Sequence, residues 1–447
     1  MVTQSQSFGH RVRSTAISRR AALRLGLSAA GVAALAACGE DGGGDGGGGS
    51  TSGSTVRFTW WGNDVRQRIT QEAIDLFHES NSGVTVEAEP GSWDGYWDKL
   101  ATTVAAGSAP DVMQQVDPHI TEYAQRGALA DLGQFGDTLD LSPFGADLLE
   151  SSTIDGKVYA VPIGMTALAV WVNPAAFEAA GQELPDDGSW SWDEYASLCA
   201  EISQATDGEI RGSGQLALTH QPFQIFVRQQ GEDLYTTDGV GFTKDTLVQW
   251  WEYVLRLQES GAALGAQESV EEQGKTTEQT AIVTGDVAFS IGWASQISQT
   301  QEAGDVELRL LQLPGESTSA HRGILVKPSM HYSISATSDN AEAAAELIDF
   351  LVNNAEAGEV LGTDRGIPTN GEVFEAVRPD LNDGDTKAAD YLEIANELAT
   401  SGMPAPPAGA SAITEAFPRF TQEVLFERTS PAEAADGLIA ELETALA

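Results

Sequence analysis

Apolar positions change their period repeatedly along the chain. Val56, Phe58 and Trp60 alternate with polar neighbours, as a half-buried strand requires. Ile69, Ala73, Leu76 and Phe77 then recur at helical spacing before Val84 and Val86 restart the alternation. A strand, a helix and a strand in that order predict a βαβ opening, and a parallel sheet follows from it. The pattern further predicts a helix over 93–106, capped by Ser92 or Asp94, and a short buried strand over 110–113. Strand-like runs at 159–162 and 168–172 flank a break at Gly164, Met165 and Thr166. Two amphipathic helices are expected at 246–257 and 341–352, the second with Ala344, Leu347, Ile348 and Leu351 on one face. The class is mixed α/β throughout.

The first 37 residues do not fit that fold. They hold Arg11, Arg13, Arg19, Arg20 and Arg24, no acid, and an apolar run over 25–37. That is the make-up of an export signal. The run is short of the roughly 20 residues a membrane span needs. Leu35-Ala36-Ala37-Cys38 resembles a lipobox, in which Cys38 becomes the lipidated first residue of the mature chain. Ser18-Arg19-Arg20-Ala21-Ala22-Leu23 resembles a twin-arginine signal. Residues 38–54 are dominated by Gly, Ser, Asp and Glu and read as a flexible tether reaching roughly 20 Å.

Charge narrows the partners. The chain carries 24 basic and 66 acidic residues; without the signal's 5 arginines, 19 basic residues face the same 66 acids, a formal charge of −47. Nucleic acid and anionic membrane surfaces are poor partners for such a protein. Cys199 is the one cysteine besides Cys38 and sits in a helical pattern, where it reads as a core residue. Six scattered histidines argue against a metal, and the poly-glycine run lacks the Gly-Lys-Ser/Thr ending of a phosphate loop, so no cofactor is expected.

A series of local motifs, taken in order, resembles the extracellular solute-binding proteins of ABC importers, in the large family that binds sugars and oligosaccharides. Trp60-Trp61-Gly62-Asn63-Asp64 is similar to its first strand-to-helix loop, and Tyr96-Trp97-Asp98-Lys99-Leu100 with Ala105 to Val112 to its most recognisable run. Tyr123 to Leu132, Asp155 to Pro162 with Val172-Asn173-Pro174, Ser191 to Tyr195, and Thr284 to Phe289 with Gly292-Trp293 continue the match. The order and number of these motifs carry the resemblance; none is specific alone.

The resemblance implies a two-lobed periplasmic-binding-protein fold with discontinuous lobes, three hinge crossings and a ligand cleft between them. Lobe 1 would comprise 55–165 with about 315–365, and lobe 2 would comprise 166–314 with about 366–447. Gly164 and the segment near Gly323 are the expected hinges. It also implies capture of a carbohydrate, delivery to permease transmembrane subunits, a monomeric state and membrane attachment through the lipid anchor alone.

A sugar presents an apolar C–H face and a rim of hydroxyls, so its pocket needs aromatic plates with polar groups between them. Trp293, placed just after the Gly285 motif, corresponds to the family's stacking tryptophan; Trp60, Trp61 and Trp93 also fall near cleft-facing ends. Asn63, Asp64 and Arg66 follow the first strand, where open α/β sheets bind ligands. The same logic selects Gln115 and Asp117, Met165 and Thr166 at the crossing, and Gln221 with Phe223. Phe417 is a candidate for a C-terminal aromatic wall. Asp111 reads as structural.

Within the family the motifs lie nearest to binders of pectin-derived oligogalacturonides. A uronate would need a cation, and Arg66, Arg228, Arg322 and Arg365 are the arginines placed to supply one. The acidity of the chain opposes an anionic ligand and favours a neutral plant oligosaccharide. Two rivals stay open: a tethered glycosidase, which needs two carboxylates about 5 to 9.5 Å apart, and a sugar sensor feeding a receptor.

Overall fold

The computed structural model describes residues 53–447 apart from 94, 215, 237–238, 317 and 400–402; the export signal, Cys38 and the tether through residue 52 lie outside the described residues. β1 (Ser54–Trp61), α1 (Asp64–Ser80) and β2 (Val84–Gly91) form the expected βαβ unit, with Val56 opposite Val86 in parallel register. The strand thus begins one residue inside the segment read as tether. Asn63 caps α1 by accepting the Arg66 N–H at 3.0 Å, and Ile69, Ala73, Ile74 and Phe77 form its buried stripe.

α2 (Tyr96–Ala105) starts later than the pattern predicts. Gly95, at φ 81°, is the N-cap in place of Ser92 and turns the chain into the helix with no side-chain cap, while Asp94 lies outside the described residues. β3 (Val112–Gln115) then joins β1 in parallel and leads into α3 (Asp117–Gln125).

β4 (Val161–Val172) corrects a second expectation. It runs through Gly164, Met165 and Thr166 without a break, because both halves find ladder partners, β8 along Val161–Ala167 and β6 along Leu168–Val172. Gly164 is tightly packed: a Cβ there would lie 2.1 Å from the Arg365 carbonyl oxygen. Gly323 is similarly pressed against Ile225, whose carbonyl oxygen would sit 2.4 Å from a Cβ.

Beyond β4 come α4 (Trp192–Ala205), β5 (Arg211–Ser213), α5 (Gln221–Gln229), α6 (Lys244–Glu259), β6 (Val287–Trp293) and β7 (Arg309–Leu311). β8 (Val326–Ile334), α7 (Ala341–Asn353), β9 (Ile367–Pro368), α8 (Asp383–Leu398), α9 (Ala412–Leu425) and α10 (Pro431–Leu446) complete the chain. The strands follow the order β2-β1-β3-β8-β4-β6-β5, with β7 and β9 also paired to β4. β8 is antiparallel to both neighbours, Tyr332 opposite Gln114 and Lys327 opposite Thr166.

Two cores lie along this sheet. Val56, Phe58, Phe77, Tyr332 and Ile348 build one, while Tyr195, Phe223, Trp250, Phe289, Phe417 and Leu438 build the other. β4 serves both, and over its second half Leu168, Val170 and Val172 face the latter core while Ala167, Ala169 and Trp171 face a third cluster. Burial on both faces explains why that run is continuously apolar. The chain passes between the cores along β4, between β7 and β8, and again around β9. The architecture is a two-lobed α/β fold. Cys199 is buried there beside Tyr195, and burial pushes its thiol pKa up, as a core cysteine requires.

Candidate functional site

The carboxyl end of β3, the start of α3, the middle of β4, the end of β6 and β8 from Lys327 to His331 converge on one polar cluster. Asp117 opens α3 and pairs with Lys327 of β8, both largely buried. Its other carboxylate oxygen lies 3.6 Å from Nδ1 of His331, which is fully buried and meets the Ser151 hydroxyl at 3.3 Å through Nε2. Burial, with Lys327 adding to it and Asp117 opposing it, pushes the His331 imidazole down to about 4. Burial first, and the charge on Lys327 after it, also disfavour protonation of His220 beside the start of α5.

Gln115 stands opposite His331 across the β3–β8 ladder, so the two side chains share a face. Its residue is 0% exposed, yet neither amide atom has a hydrogen-bond partner. Asp117 Oδ1 and His331 Nδ1 are unmatched in the same sense. Buried polar atoms are ordinarily satisfied, so several orphans at one place make this cluster the candidate site. Trp293, the last residue of β6, is half-buried; Lys327 Nζ lies 5.9 Å from its ring centroid. Thr166 accepts the Ser295 N–H at 3.3 Å, tying the end of β6 to the crossing strand. Met165 sits beside it, opposite Pro328 and Ile367.

A second aromatic group adjoins this cluster. Trp61 packs edge-on against Trp93 at 5.2 Å and Tyr96 at 5.0 Å, and Trp97 stacks on His119 at 3.8 Å with 22° between planes. Trp93 is 50% exposed, a large apolar face left open to solvent. The Ser411 hydroxyl bonds to the Glu122 carboxylate, joining the segment before α9 to α3.

Other residues picked from the sequence have structural duties. Trp60 points away from Trp61 into the first core, 1% exposed and 4.7 Å from Phe58. Phe223 and Phe417, both 0% exposed, stack at 5.4 Å deep in the second core, so core packing takes the place of the ligand contact expected of Phe223 and the aromatic wall expected of Phe417. Alternation and spacing cannot separate an aromatic that lines a cleft from one that fills a core. Arg66 is tied to Asp364 at 2.5 Å and donates to the Trp61 carbonyl at 3.3 Å. Arg365 donates to Gln114 at 3.0 Å and to Thr70 at 2.7 Å. Both arginines lace the first βα unit to the third crossing. Asn63 and Asp64 are exposed at the first turn of α1, and Gln221 opens α5. Asp111 accepts the Arg57 N–H at 2.8 Å and binds the Ser338 hydroxyl, the structural duty expected of it.

Sequence reasoning missed Lys327, His331, His119 and Ser151. One signal was available: in a chain this poor in cations, a lysine and a histidine inside the single run Val326–Ile334 are conspicuous. Among the described residues no group of histidine, cysteine and carboxylate side chains could hold a metal ion, and no helix is long and apolar enough to cross a membrane.

An extracellular solute-binding protein family 1 member from Alicyclobacillus acidocaldarius superposes with a TM-score of 0.67 at 26% identity, covering 88% of this chain and 98% of that one. A periplasmic oligogalacturonide-binding protein from Yersinia enterocolitica, solved with saturated digalacturonic acid, superposes with a TM-score of 0.75 at 23% identity over 88% of this chain and 100% of that one. By sequence, a maltodextrin-binding protein of Bacillus subtilis is 28% identical over 140 residues, 30% of this chain and 31% of that protein. The family model for bacterial extracellular solute-binding proteins matches residues 72–388, well over half of the chain, and the protein belongs to that family.

Proposed function

We propose that this protein captures a sugar or oligosaccharide between its lobes and hands it to the transmembrane subunits of an ABC importer, with Cys38 as its lipid anchor. The observation that carries the reading is the coincidence of a half-buried indole, Trp293, with the unmatched polar atoms of Gln115 and Asp117. An aromatic face beside hydroxyl-binding groups is what a sugar requires. The sugar ligands of the Yersinia and Bacillus relatives point the same way. Trp61, Trp93, Met165, Thr166 and Gln221 complete the proposed contact set. The proposed lobes are 55–165 with about 315–365, and 166–314 with about 366–447. Recognition, not bond cleavage, is the task in this reading.

Thermal-shift screening of the purified protein against a glycan panel tests it. A ligand present at 100 times its dissociation constant stabilises the folded form by about 2.7 kcal/mol, which is readily seen as a raised melting temperature. A panel that shifts nothing, or a glycan released with new reducing ends, would count against the reading. The anchor has its own test: Cys38→Ser should move the protein from the membrane fraction to the medium with its melting temperature unchanged. Retention of the variant in membranes would exclude lipid attachment at Cys38.

A further inference from the structure

We propose that the cleft is built for a neutral glycan and turns uronates away, with Asp117 as the discriminating group. The inference rests on the sugar-binding reading above. A uronate carboxylate is held by a guanidinium or ammonium free to form charge-assisted bonds. Around this cleft the candidate cations are already engaged. Arg66 is bound to Asp364 and Lys327 to Asp117. Arg228 lies 3.4 Å from Asp233 and donates to the Ile324 carbonyl at 2.9 Å. Arg322 donates to the Glu316 carbonyl at 3.0 Å; Arg365 donates to Gln114 and Thr70 through Nε and Nη2, while its Nη1, which has no hydrogen-bond partner, lies 3.7 Å from the Asp364 carboxylate. Drawing one of the buried ion pairs apart to meet a ligand would strand its carboxylate, a strongly unfavourable exchange.

The atoms left unmatched ask for something else. Gln115 offers one acceptor and two donors, and Asp117 Oδ1 is an acceptor. A hydroxyl both donates and accepts, so a neutral sugar ring can satisfy these groups together. A carboxylate placed there would face the Asp117 charge at short range among buried groups, where like charges repel most. The Yersinia neighbour shares the fold while binding digalacturonic acid; the paired cations here give this chain's cleft the opposite preference.

Isothermal titration of the purified protein tests the proposal, with maltotriose, cellotriose, xylotriose and mannotriose as neutral probes and trigalacturonate and aldotriouronate as charged ones. The tightest neutral probe should bind at least ~tenfold more tightly than either uronate. Asp117→Asn removes the repelling charge and frees Lys327, so the ratio should fall by about tenfold or more. Lys327→Met leaves Asp117 unneutralised and should raise the ratio, which decides the matter if Asp117→Asn fails to fold. A uronate that binds as tightly as the best neutral probe would overturn the proposal while leaving sugar binding intact. A ratio unmoved in the folded variants would overturn the role of Asp117. Silence from every probe would overturn the sugar-binding reading and this inference with it.

Discussion

Phe417→Ala should cost about 3–5 kcal/mol of folding stability, the range for deleting a fully buried aromatic side chain. Phe417 is 0% exposed, stacks on Phe223 and lies 6.1 Å from Trp251, whose Nε1 donates to Thr421 on the next turn of α9. Truncation would leave a void beside the rings of Phe223 and Trp251, and α9 would lose an anchor to the second core. Chemical denaturation with an unchanged m-value checks the size of the loss. Glycan affinity, measured well below the melting temperature, should stay within about twofold of the parent. A variant of normal stability that no longer binds would restore Phe417 as a wall of the cleft.

Trp293→Ala should reverse that pattern. Its indole closes one side of the polar cluster, half-buried and within cation–π range of Lys327. Removal of a central aromatic anchor typically weakens binding by roughly 2 kcal/mol or more, about thirtyfold in dissociation constant. Stability should suffer less than in Phe417→Ala, because a ring at the edge of a cleft leaves no closed cavity behind. Titration with the best neutral glycan, paired with a melting curve, separates the outcomes. Unchanged affinity with a sharply lower melting temperature would make Trp293 a core residue.

Local signals made much of the architecture legible. The alternation of Val56, Phe58 and Trp60 and the helical stripe of Ile69, Ala73 and Phe77 correspond to real elements. The Ser191 start of α4 is a capping box with Glu194, and α7 falls within one residue of its expected span. What escaped depends on distant partners. The ladder that keeps β4 continuous through Gly164 comes from β8, far along the chain. Lys327 gains its meaning from Asp117, 210 residues away, and His331 from Ser151, 180 residues away. Aromatics were legible as aromatics and not as core or cleft: Phe223 looked like Trp293 until the stacking on Phe417 was visible.

The position of β8 also dictates when this protein can fold. β8 fills the gap between β3 and β4, yet it is translated 210 or so residues after β3. At 5–20 residues per second a ribosome needs roughly 10 to 40 s to cover that distance. During this delay β3, and β4 once it has been made, each present an unpaired edge to the cytosol, the surface on which strands from other chains add most readily. Nascent chains of this protein should therefore engage holding chaperones until Val326–Ile334 has emerged, and a chain truncated before Val326 should aggregate rather than fold as a half-molecule.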